Sequence, residues 1–174
     1  MELWDVYDMD RIRTGHVMIR GDKNDEGYLH LVVHVCIFNA EGRMLIQKRQ
    51  ESKTGWPGRW DVTVGGSAIA GENSCEAAER ELFEELGISI SLDGVRPHLT
   101  MNFEHGFDDV YLLEMEVSPE ELILQEEEVS QAKWSSQEEI IAMIDRKQFI
   151  PYHQNFIRLL FDMHCRYGLL HSME

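Results

Sequence analysis

The sequence predicts an α/β fold of the α+β type, in which a mixed β-sheet carries helices packed on its faces. β-rich runs stand on both sides of an early helix, that helix is punctuated at both ends, and the C-terminal part carries apolar residues at helical spacing. A regular alternation of strand and helix, the mark of an all-parallel sheet, is missing.

In chain order, residues 3–19 hold Trp4, Val6, Tyr7, Thr14, Val17 and Ile19 around the turn-like Arg13-Thr14-Gly15, which predicts one or two peripheral strands. His30 to Phe38 is rich in β-branched and aromatic residues. Asn39 to Gly42 is a turn and Arg43 to Lys48 a second strand, so the punctuation predicts a hairpin. Ser52 to Arg59 reads as loop, and Trp60 to Val64 as a short strand that stops at Gly65-Gly66. Ser74 to Leu86 is the clearest helix, with Asn73 as N-cap, Glu76 placed for a capping box and Gly87 where a left-handed C-cap residue is wanted. Ile88 to Leu92, Leu99 to Phe103 and Val110 to Val117 read as further strands, and Gln137 to Asp145 and Tyr152 to Tyr167 as helices.

The 174 residues suffice for one domain that buries roughly two thirds of its surface without staples. Within 1–174 the expected layout is peripheral strands at 1–29, a core at 30–134 and helices at 135–174. No apolar run approaches the roughly 18 residues of a membrane span, and the acidic start, Glu2 and Asp5, is unlike a basic signal peptide, so a soluble cytoplasmic protein is expected. With 16 Lys and Arg against 32 Asp and Glu, the formal charge is −16. That charge repels nucleic-acid polymers and anionic membranes, yet is compatible with a small phosphorylated substrate bridged to carboxylates by cations. Cys36, Cys75 and Cys165 are widely spaced and odd in number, and read as reduced thiols.

Positions three and four apart share a helix face, so Glu81, Glu84 and Glu85 converge while Ala77, Ala78, Leu82 and Leu86 supply the apolar stripe. Like charges at these spacings each cost a few tenths of a kcal/mol, so something positive should offset them. Arg80 is one candidate. Mg2+ or Mn2+ is the other, because hard cations take carboxylate and carbonyl oxygens and the Gly65-Gly66 carbonyls have no side chains in the way.

From Gly66 the chain continues through Glu72, Arg80-Glu81-Leu82 and Glu84-Glu85 to Gly87-Ile88, which resembles the Nudix box at every fixed position. The wider resemblance, from about His30 to Trp134, implies an α/β/α sandwich with a mixed sheet and hydrolysis of a nucleoside diphosphate linked to another moiety. It implies Glu81, Glu84 and Glu85 as metal ligands with a carbonyl of Gly65 or Gly66, and Glu72 and Arg80 as the ion pair that orients helix and loop. Metal ions in such a site neutralise the diphosphate and make water nucleophilic. The base that takes the water's proton is Glu84, Glu85 or one of the later acids Glu126, Glu127 and Glu128.

The segment with Phe38-Asn39, Leu45, Gln47, Lys48, Arg49, Lys53, Trp56-Pro57-Gly58 and Trp60-Asp61 is similar to Nudix proteins related to type 1 isopentenyl-diphosphate isomerase. Those isomerases place a cysteine and a histidine where this chain has Gly65 and Ser67, which can act neither as acid nor as imidazole ligand, and their Nudix box is degraded. Hydrolysis is therefore the expected activity. Isomerisation, with His30 and Asp109 near an isomerase histidine and acid, and a non-catalytic nucleotide sensor are the alternatives. His30 and His34 share a strand face and read as hydrogen-bonded strand residues. Lys48, Arg49, Lys53 and Arg59 are candidates to clamp phosphates, and Trp56, Trp60, Phe103 and Phe107 to stack on a base or pack in the core. A homodimer is the default for oligomers in general.

Overall fold

The computed structural model describes residues 2–21 and 28–168; the expected segments 1–29 and 135–174 lie partly outside them. Two antiparallel strands, β1 (Leu3–Tyr7) and β2 (Arg13–Ile19), form a ribbon of their own. The main sheet contains β3 (His30–Phe38), β4 (Met44–Arg49), β5 (Trp60–Asp61), β6 (Val64–Ser67), β7 (Leu99–Phe103), β8 (Gly106–Glu114) and β9 (Val129–Ser135). Among the described residues three α-helices accompany it: α1 (Ser74–Leu86), α2 (Gln137–Asp145) and α3 (Gln154–Met163).

The sheet is mixed because β3 runs parallel to β8 but antiparallel to β4 and β6. Successive strand residues point to opposite faces, and β3 obeys this strictly. Leu31, Val33, Val35 and Ile37 pack with Ala77, Ala78, Leu82 and Leu86 of α1, whereas Cys36 and Phe38 pack with Ile140 and Met143 of α2 and Ile157, Leu160 and Met163 of α3. The result is a helix–sheet–helix sandwich, as expected. Truncating a fully buried member such as Leu82 to alanine costs about 2–5 kcal/mol.

Helix α1 begins and ends where its local signals lie. Asn73 accepts from the Cys75 and Glu76 amides, and the Glu76 carboxylate returns to the Asn73 amide at 2.8 Å. At the other end Gly87, at φ 69°, donates to the carbonyls of Leu82 and Phe83.

The structure departs from expectation in five places. Residues 60–64 are not one strand: β5 pairs with β4, the chain crosses at Val62-Thr63, and β6 pairs with β3, so Gly65 and Gly66 lie within a strand rather than ending one. The buried Thr63 hydroxyl accepts from the Ile37 amide and donates to the Leu45 carbonyl, satisfying backbone groups where β3 and β4 part. The β3–β4 connection is accordingly a hairpin joined by Cα pairing only at Phe38 and Met44. Residues 88–92 form no strand; Ile88 and Leu92 are buried against α1, and the Leu92 amide donates to Glu79. β8 begins and ends a few residues earlier than Val110 to Val117, because its register with β3 starts at Gly106 and His30. Finally, β9, an edge strand with alternating half-exposed residues, pairs with β4 unannounced by sequence, and α3 stops at Met163, where His164 Nδ1 hydrogen-bonds the Phe161 carbonyl.

Candidate active site

Along β3 the neighbour changes from β4 to β6, and a cleft of about 570 Å3 opens there. Val32 and His34 of β3, Arg49 of β4, Asp61 of β5 and Gly65 to Ser67 of β6 line it. α1 adds Arg80, Glu81, Glu84 and Glu85; Lys53, Trp56, Gln125, Glu128 and Tyr152 come from connecting segments, and Glu2 and Arg20 from the N-terminal region.

On the α1 wall, Arg80 organises the acids. Its Nε and Nη2 donate to the two carboxylate oxygens of Glu72 at 2.8 and 3.1 Å, and Nη2 also reaches the Ser67 carbonyl at 3.0 Å. This fork fastens the loop after β6 to the helix. Nη1 donates to Glu81 at 2.9 Å and to Glu84 at 3.0 Å, so one guanidinium serves three carboxylates. Glu85 gets none of it. Only 6% exposed, Glu85 accepts a 2.6 Å hydrogen bond from Gln47 Nε2 of β4. Burial first and the charge of Glu81 second push its carboxyl up to about 8. Burial likewise raises Glu81, against the opposing pull of Arg80.

The diglycine contributes by what it lacks. A Cβ on Gly66 would stand 2.0 Å from Glu81 Oε1, and one on Gly65 would stand 2.6 Å from the His34 ring. Gly66 thus keeps open the cradle that the Glu81 carboxylate fills, beside main-chain carbonyls that offer further oxygen. This donor set, three crowded carboxylates with carbonyls at hand and one shared cation, fits hard divalent ions.

The opposite wall is built differently. His34 Nδ1 lies 2.9 and 3.0 Å from the Asp108 carboxylate oxygens and Nε2 lies 3.3 Å from the Tyr152 hydroxyl. Burial works against the imidazolium, but the hydrogen bond and charge of Asp108 outweigh it and raise the His34 pKa. Tyr152 donates to the buried Asp61 at 2.9 Å, and Arg49 Nη1 stands 3.6 Å from Asp61. Lys53 is ion-paired with Glu128. At the mouth, Trp56 holds a left-handed backbone (φ 53°) and is 48% exposed, with the Arg59 guanidinium over its ring.

Of the residues singled out in sequence, Glu81, Glu84, Glu85, Glu72, Arg80, Gly65, Gly66, Arg49 and Lys53 come together at this cleft, Glu72 as the anchor of Arg80. Lys48 does not: strand alternation turns it to a second groove with Arg59, Trp60, Lys133, Arg146 and Lys147. Glu128 lines the cleft, whereas Glu126 and Glu127 are absent from its lining. His30 is stacked on Trp4 and edged by Phe103, and Asp109 is held by Arg11 and Thr100; neither lines the cleft. Sequence reasoning missed Gln47, Asp61, Asp108 and Tyr152. Only the β3 alternation, which aims His34 but not its neighbours at this face, hinted at the second wall.

A NUDIX domain family model matches residues 28–160. A Nudix hydrolase of Listeria monocytogenes is 48% identical over 94% of this chain and 95% of its own length. Among solved structures, DR0079 of Deinococcus radiodurans superposes with a TM-score of 0.71 at 25% identity, covering 91% of this chain and 97% of that one. A MutT protein of Methanosarcina mazei gives 0.62 at 25% identity over 77% and 93%. With the family model spanning most of the chain and the box residues gathered on one wall of the cleft, the chain belongs to the Nudix family of hydrolases.

Proposed function

We propose that the protein is a Mg2+- or Mn2+-dependent pyrophosphohydrolase that cleaves a nucleoside diphosphate linked to a further moiety by water attack on phosphorus. The observation that carries this reading is the imbalance on the α1 wall, where Glu72, Glu81 and Glu84 share the single guanidinium of Arg80 and Glu85 is buried against Gln47 without a cation. Divalent cations held by Glu81, Glu84, Glu85 and a Gly65 or Gly66 carbonyl would supply charge neutralisation and polarisation of the phosphoanhydride.

The chain's own groups do the rest. Arg49 and Lys53 line the same cleft as the α1 acids and orient phosphate oxygens, and the half-exposed Trp56 offers a stacking surface for a base at the mouth. Gln47 fixes the Glu85 carboxylate, and the Arg80–Glu72 fork fixes the helix against the β6 loop, so the acids are oriented before substrate arrives. The proton of the attacking water passes to a cleft carboxylate, Glu84, Glu85 or Glu128.

The test is a panel of nucleoside triphosphates, nucleoside diphosphate sugars, dinucleoside polyphosphates and isopentenyl diphosphate, incubated in 18O water with Mg2+, Mn2+ or chelator. The expected result is cation-dependent release of a phosphate-bearing product that carries the label on phosphorus. An allylic product from isopentenyl diphosphate, or saturable binding with no product, overturns the reading.

A further inference from the structure

A second group of metal-ligating side chains lies away from the cleft. Glu114 closes the C-terminal end of β8, and His164 and Cys165 follow directly on α3. Their ligand atoms all lie within 4.8 Å of one another, and none of the three residues lines the catalytic cleft. They edge instead a shallow groove of about 520 Å3 with Asn39 to Gly42, Met115 and Glu116.

We propose that Glu114, His164 and Cys165 form a second cation site, suited to a borderline ion of the Zn2+ class and distinct from the carboxylate site on α1. Cys165 Sγ already lies 3.1 Å from His164 Nε2. Tetrahedral bonds of about 2.0–2.3 Å place neighbouring ligand atoms roughly 3.3–3.8 Å apart, so these two donors need only separate slightly. Glu114 is exposed, and rotation of its side chain closes the remaining gap.

The histidine is prepared for this. Its Nδ1 donates to the Phe161 carbonyl at 2.6 Å, which turns Nε2, the nitrogen left to bind an ion, toward the sulfur. A backbone acceptor on the far ring nitrogen is the arrangement that orients metal-bound histidines. The ring is further pinned by stacking on Phe38 at 4.5 Å and an interplanar angle of 24°. A thiolate, an imidazole and a carboxylate suit Zn2+ and Co2+, whereas Mg2+ demands octahedral oxygen.

The place in the fold assigns the site a bracing role. α3 enters from Tyr152, which lines the cleft, and leaves at this cluster, so an ion here ties the far end of the helix to the C-terminal end of β8. Water or one of the flanking acids, Glu41 or Glu116, completes four-coordination.

Cobalt is the probe. Co2+ added to the untagged full chain is expected to give a thiolate-to-cobalt charge-transfer band and intense tetrahedral visible bands. Both persist in the Glu81→Gln/Glu84→Gln variant and vanish in Cys165→Ser and His164→Gln, while Glu114→Gln weakens binding roughly 10–100-fold. Zn2+ at a hundredfold excess over its Kd raises the thermal midpoint of the wild type by roughly 5–10 °C and leaves that of Cys165→Ser unchanged. A third readout needs no variant: Zn2+, but not Mg2+, protects Cys165 of the wild type from alkylation. Absence of the charge-transfer band, its survival in Cys165→Ser, or alkylation of Cys165 at an unchanged rate overturns the proposal.

Discussion

The two walls of the cleft solve the same problem, a surplus of acid, in opposite ways. On the second wall each acid has a partner: Asp108 has His34, Asp61 has Tyr152 and Arg49, and Glu128 has Lys53. On the α1 wall Arg80 is divided among Glu72, Glu81 and Glu84, and Glu85 relies on an amide. The paired wall is finished as folded. The α1 wall is stable only to the extent that Arg80, a proton kept on Glu85 or an added cation offsets its repulsion, and this is the physical meaning of the Nudix box in this chain.

The two walls differ most in what their acids do. Glu84→Gln or Glu85→Gln is expected to lower kcat by about 100- to 10,000-fold while the thermal midpoint in chelator holds or rises, since the first relieves repulsion with Glu81 and the second removes a buried carboxyl whose ionisation is disfavoured. Steady-state rates and a melting curve check this; near-native turnover in both variants would make the walls equivalent. Next in size, Arg80→Met removes the one guanidinium of the α1 wall. The cost in denaturant titrations with chelator is about 3–5 kcal/mol, because buried carboxylates lose their partner, and Mn2+ should restore part of it.

A pH series sharpens the contrast further. Glu85 is raised from 4.5 to about 8, so above pH 4.5 the unfolded chain releases a proton that the native state keeps. Stability in chelator therefore falls as pH climbs from about 5 to 8, by no more than about 4 kcal/mol, and Glu85→Gln flattens that slope. A wild-type curve as flat as the variant's would show that Glu85 ionises freely. Smallest is the change on the paired wall: Tyr152→Phe loses the bond to Asp61 and costs about 1–2 kcal/mol, equally with chelator and with Mn2+. A Mn2+-dependent loss there would mean that the walls are coupled.

The same contrast explains what could be read from sequence. α1 was legible because its signals are local: Asn73 and Glu76 close one end, Gly87 the other, and the helical period alone puts Glu81, Glu84 and Glu85 on one side. The paired wall draws His34, Asp61, Asp108 and Tyr152 from distant parts of the chain, and no local pattern announces that they meet. Lys48 and Arg49 are adjacent in sequence yet line different grooves, an outcome that strand alternation contained and grouping by charge concealed. The split of Trp60–Asp61 from Val64–Ser67 depends on which neighbours β4 and β3 offer, and β9 lacks the apolar alternation that marks a strand.

If the α1 carboxylates are a cation site, they bind Mn2+, and a Mn2+ titration of the wild type and of the Glu81→Gln/Glu84→Gln/Glu85→Gln variant, followed through the electron paramagnetic resonance signal of the free ion, decides it. Saturable binding by the wild type is expected, with an affinity at least about tenfold weaker in the variant. Equal Mn2+ affinity in the two proteins would contradict it.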